Sequence, residues 1–288
     1  MSFPRATHLP LHRQETISAR DGFAVPRSTQ AGWLREAYAR VHRVVAAMFA
    51  DARATAHCIA TDATGARVRV KGARACAGWH VFVFLADRDH IVFDYGEHHT
   101  GAFIRAKLAG FRGYLLLDAA TIYDDLFSPT VIEVGCWAHL RRYVWKALPS
   151  EPHRATAWLA ILGQLFEADR ATRALPMPAR TYERARRALP ILAIMEAWID
   201  RELPTLAPRT PLRAAVTYFT NQKLALHRFL EDGALRLDNN ESEGALRKRV
   251  LGEHYAQRPV IRSAARLGGR SHGSTRASYT GGRLTRCT

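Results

Sequence analysis

Residues 113–118, GYLLLD, form an unbroken apolar run that stops on a carboxylate. Such a run reads as a strand covered on both faces, which confines the chain to folds with a sandwiched sheet. The segments around it extend the sheet. HCIATD (57–62) is a short apolar run with a β-branched centre, and ARVRVKG (66–72) alternates as a half-exposed strand should. GWHVFVFLAD (78–87) and HIVFDYG (90–96) set β-branched and aromatic residues between turn signals.

The spacing then predicts a short helix from Gly101 to Leu108, the GYLLLD strand, another short helix, the strand VIEVGCWAH (131–139) and the helix LRRYVWKAL (140–148). Three strands, a helix, a strand, a short helix, a strand and a helix fit an α/β fold with a mixed sheet of ribonuclease H-like type and flanking helices. Upstream, residues 1–20 read as polar and irregular. A helix is expected from about Gln30 to about Ala54, with Trp33, Leu34, Ala37, Val41, Val44, Val45 and Met48 on the face that packs on the core or links to it. Downstream, 152–235 read as an all-helical insertion, with Pro190 as a boundary or kink. The expected organisation is 1–55, N-terminal segment and helix; 56–151, sheet core; 152–235, helical insertion; 236–252, a final helix; and 253–288, a tail. That tail holds seven arginines, one acid and few clustered apolar residues, a composition expected to be disordered.

Charge bounds the partners. Lys and Arg number 42 against 26 Asp and Glu, a formal net charge of +16. That excess suits a polyanion, with DNA or RNA first, because phosphate neutralisation dominates such binding. No stretch is long and apolar enough to span a bilayer, and the N-terminus lacks the apolar core of a signal peptide. Cys58, Cys76, Cys136 and Cys287 are scattered without a paired-spacing framework, as in a reducing cytoplasm.

Three acids carry the chemical reading. Asp62 and Asp118 lie in or at the end of strand-like runs, and Glu243 lies at the start of a helical run. Two-metal phosphodiester chemistry needs carboxylates converging on a pair of divalent ions, and magnesium prefers such hard oxygen donors. Spacing alone also permits these acids to be turn and solvated helix residues. Asp238, Asn239 and Asn240 are N-cap residue types for the Glu243 helix. Cys136 and His139 form a C-x-x-H pair without a second pair to complete a zinc site, so Cys136 reads as core. His139 reads as a fold residue or as a group near the acids. Arg141 and Arg142, on the following helix, and Arg247 and Lys248, after Glu243, are candidates for the DNA backbone. The six tryptophans read as core more than as base-stacking platforms.

Five segments, among them GYLLLDAATIYDDLF, VIEVGCWAHLRRYVWKAL and the stretch containing LRLDNNESEGALR, resemble the insertion sequence 66 family of bacterial transposases over roughly residues 9–252. CWAHLRR and LDNNESE are the most specific. The resemblance implies a ribonuclease H-like core of the DDE class. Its catalytic and metal-binding acids fall on Asp62, Asp118 and Glu243, with Glu241 as the neighbouring alternative. It further implies two Mg²⁺ (or Mn²⁺) ions and DNA as partner, both transposon ends and target. It leaves self-association and element-encoded helper proteins open, and it places the protein in the bacterial cytoplasm at the nucleoid. The sequence departs from the family at Gly244, where arginine is usual, and in its tail. Together with a shorter N-terminal region, these departures lead to the expectation of a truncated copy with an out-of-frame tail. The alternatives are a catalytically inactive DNA-binding remnant or a ribonuclease H-like nuclease with another role.

Overall fold

The computed structural model describes residues 11–68, 77–87, 90–246, 276–280 and 283–287. Helices α1 (Leu11–Arg20) and α2 (Arg27–Thr55) lead into strands β1 (Cys58–Val68), β2 (Ala77–Ala86) and β3 (His90–Gly96). Then come α3 (Gly101–Lys107), β4 (Gly113–Leu117), a 3₁₀ turn at Thr121–Leu126, β5 (Val131–Gly135) and α4 (Trp137–Lys146). Helices α5 (Pro152–Arg170), α6 (Met177–Glu202) and α7 (Pro211–His227) follow, and residues 240–246 are helical. The sheet order is β3-β2-β1-β4-β5, with β2 and β3 antiparallel and β1, β4 and β5 parallel. This is a mixed α/β fold, consistent with the ribonuclease H-like architecture expected from the element order.

The chain divides into two compact units, and β1 contributes to both. One comprises Met1–Thr55, Asp62–Gly110 and Glu241–Thr288. In it, Val81 to Ala86 of β2 are all buried, so both faces of that strand are covered. Phe82 packs on Phe103 of α3 at 4.7 Å between ring centroids. On the same strand Val81 and Val83 pack with Leu246 and Ala245 of the short helix and Ala66 of β1. The other unit comprises Ala56–Thr61 and Phe111–Asn240. Leu115, Leu116 and Leu117 of β4 are fully buried there, as the apolar run requires. Gly113 opens β4 at φ +145°, and a Cβ at that position would lie 2.6 Å from the His57 carbonyl oxygen, so the strand can start only on glycine.

Several expectations change. Residues 11–20 form α1, stabilised in part by contact with α2: Arg27 Nε lies 2.8 Å from Glu15. On α2 the buried residues are Gln30, Ala31, Phe49 and Ala52, while Trp33, Leu34, Val41, Val44, Val45 and Met48 are exposed. Periodicity correctly placed these side chains on a helix, but a shared face need not be a covered one. Pro190 is not a boundary, because α6 runs through it. Trp137, Trp158 and Trp198 are core, whereas Trp33 and Trp145 are exposed. In the tail, β6 (Arg276–Thr280) and β7 (Arg283–Cys287) pair antiparallel, and the rest of 253–288 lies outside the described residues.

Candidate functional site

The second unit prepares the strands that lead to both aspartates. Parallel register pairs Ala60 of β1 with Leu116 of β4. Asp62 and Asp118 each follow that pair by two residues along the chain. Asp62 therefore sits inside β1 rather than at its end, half-buried, with Oδ1 accepting the Ala63 N–H at 2.8 Å. Asp118 stands immediately beyond β4. Its Oδ1 accepts the Ala120 N–H at 3.3 Å across a turn whose central residue, Ala119, has φ +64°. A non-glycine residue in that left-handed region is strained, and such strain is stored where surrounding structure fixes the geometry.

His139 lies in the first turns of α4, with Nε2 4.0 Å from Asp118 Oδ2. The helix start that carries it is held by its neighbours. Trp137 N–H donates to the Leu237 carbonyl at 3.1 Å, and Trp137 Nε1 donates to the Leu226 carbonyl at 2.7 Å. Cys136 is a core residue, as its spacing suggested. Burial pushes its thiol up to about 12, against hydrogen bonds from the N–H groups of Asn239, His139 and Ala138. Tyr218 of α7 stacks on Tyr143 at 4.9 Å. Burial raises its phenol well above the usual range, and the charges of Cys136 and Asp118 add to that.

Glu243 lies on the helix at 240–246, half-buried, while its neighbour Glu241 is exposed. Asp62 and Glu243 belong to one compact unit, and Asp118 and His139 to the other. Among the cap candidates, Asp238 Oδ1 accepts the Asn240 N–H at 3.0 Å. Asn239 turns inward instead: its Nδ2 donates to the Thr61 carbonyl at 2.9 Å and its backbone N–H donates to Cys136 Sγ at 3.2 Å. Residue type alone would not reveal this, since asparagine at the edge of a helix signals a cap first.

Arg141 and Arg142 are exposed on α4, and the Arg141 guanidinium lies 5.9 Å from the centre of the Phe166 ring. Arg247 and Lys248 lie outside the described residues. Carboxylate oxygens suit Mg²⁺ or Mn²⁺ as donors. Among the described residues, however, no group of three or more His, Cys, Asp or Glu side chains is arranged to hold a metal ion. No described helix is long and apolar enough to cross a membrane.

The elements thus define an α/β protein of mixed sheet, with acids on β1, just beyond β4 and on a late helix. The chain belongs to the transposase IS66 family, whose profile matches residues 5–258 and so spans all three acids. It is 25% identical over 263 residues to the uncharacterized protein y4qI of Sinorhizobium fredii (strain NBRC 101917 / NGR234), covering 85% of this chain and 49% of that protein. The uncharacterized protein y4jD of the same strain is 24% identical over 270 residues, covering 85% and 51%. The chain spans about half the length of these relatives.

Proposed function

We propose that this chain is the catalytic domain of a DDE-type transposase, which cleaves a DNA strand and transfers the freed end to a target. The observation that carries the reading is the family match over 5–258, a stretch that contains Asp62, Asp118 and Glu243. Asp62, Asp118 and Glu243 are the proposed donors to one or two divalent ions. Such ions, when bound, activate an attacking water or 3′-hydroxyl and stabilise the leaving oxygen.

The chain's own groups do the positioning. The Ala120 N–H orients the Asp118 carboxylate, and His139 stands on its other oxygen, within reach to steady it or to meet a phosphate. Arg141 and Arg142 on α4 supply positive charge for the backbone of bound DNA, and the net charge of +16 attracts it from a distance.

A second reading is a DNA-binding remnant without turnover, to which the departure from the family at Gly244, beside Glu243, points. Nicking of supercoiled DNA in Mg²⁺ or Mn²⁺ separates the two. Activity in the wild type that Asp118→Asn abolishes supports catalysis at the proposed site. Equal activity in both proteins removes the site. DNA binding without nicking in either leaves the remnant reading.

A further inference from the structure

We propose that Asn239 is a positioning residue, whose carboxamide fixes the starting points of the two chain segments that bear Asp62 and Glu243. The proposal rests on the catalytic reading of those acids.

Asn239 is 1% exposed, and Thr61 is equally buried. The β1–β4 register ends at Ala60 opposite Leu116. At the next residue the Thr61 carbonyl receives the Asn239 Nδ2 at 2.9 Å, a side chain 178 positions away in sequence. Thr61 is held a second time, its hydroxyl 3.4 Å from that of the buried Tyr123. The backbone around Asn239 is equally fixed, its N–H on Cys136 Sγ and the Leu237 carbonyl on the Trp137 N–H. All of these bonds lie within one compact unit.

What leaves that unit at these two points is informative. The residue after Thr61 is Asp62. The helix after Asn239 carries Glu243 four positions on, about 6 Å along the axis at 1.5 Å per residue. One buried hydrogen bond therefore registers both segments, although the acids are 181 residues apart in sequence, from 62 to 243. Asparagine suits the task because it combines a short reach with an N–H donor for a carbonyl. Alanine offers no donor, and an aspartate oxygen would face the carbonyl oxygen.

The test uses the full chain, with Mn²⁺ binding followed by electron paramagnetic resonance and backbone exchange followed by mass spectrometry. Asn239→Ala and Asn239→Asp are expected to weaken Mn²⁺ binding by about 10- to 100-fold, the usual effect of losing a group that orients a ligand. They should also speed amide exchange in 60–64. Leu192→Ala, a core truncation in α6, serves as the control for general destabilisation and should do neither. Asn239 variants with wild-type Mn²⁺ affinity, or with unchanged exchange at 60–64, overturn the proposal, as does a Leu192→Ala control that matches their loss. If the wild type itself binds no Mn²⁺, the catalytic reading falls first. Exchange at 60–64 then still decides whether Asn239 pins β1.

Discussion

Asp169 and Arg184 form a buried ion pair at 3.1 Å, and the Arg184 guanidinium also donates to the carbonyls of Phe229, Leu235 and Asp232 at 2.7, 3.0 and 3.1 Å. One side chain of α6 thereby ties α5 to the segment that leads to Asn239. Burial holds its pKa down to about 10, with Asp169 opposing that effect. Asp169 keeps Arg173 at 3.4 Å and Arg180 at 3.6 Å, but Arg184→Met leaves the converging buried carbonyls without their donor and is expected to lower stability by about 1–3 kcal/mol. Urea unfolding measures this, and a loss below about 1 kcal/mol would show that water or another donor reaches those carbonyls.

Ala119 sits in the left-handed region beside Asp118, with φ +64°. Glycine adopts that conformation without steric cost but loses more entropy on folding. Ala119→Gly is therefore expected to raise stability by about 0.5–1 kcal/mol. A higher thermal midpoint is the predicted result, and a lower one would mean that the turn is not strained.

The Cys136 thiol is buried and protonated at neutral pH, pushed up to about 12. Only the thiolate reacts with alkylating agents at a useful rate. Iodoacetamide at pH 8 should leave Cys136 unmodified in the folded protein and modify it in denaturant. Peptide mapping reads both states, and alkylation without denaturant would contradict the packing around α4.

His227 stacks near-parallel to Trp137, with 6.4 Å between ring centroids. Burial lowers its pKa from the ordinary 6.5, against Glu196 and with Lys223. The unfolded chain thus binds this proton more tightly than the folded one. Stability should rise as pH climbs through the window just below 6.5, and be lost as pH falls through it. His227→Gln should flatten that dependence in denaturant titrations across the window. An unchanged slope would assign the effect to other groups.

Removing the Tyr218 hydroxyl isolates a different cost. That oxygen is buried without a hydrogen-bond partner among the described residues. Tyr218→Phe is expected to be neutral or to stabilise by up to about 1 kcal/mol. A clear loss of stability would reveal a partner for the hydroxyl.

Local sequence determined much of this protein. The run Leu115–Leu117 had to be a strand covered on both faces, the element order from β1 to α4 follows from apolar spacing and turn residues, and CWAHLRR and LDNNESE are the segments most specific to the family resemblance. These features depend on neighbours in the chain, where periodicity and residue type act directly. The tertiary structure decided the rest. It left the apolar face of α2 exposed, because periodicity records which side chains share a face and not what covers them. It buried Arg184, a residue type that is otherwise a surface cation, because five-donor geometry can satisfy converging carbonyls only once α6 and residues 229–235 are brought together. It also turned Asn239 from a helix cap into the partner of Thr61. That hydrogen bond joins positions 178 residues apart, and no local pattern encodes an interaction whose two ends meet only through the packing of everything between them.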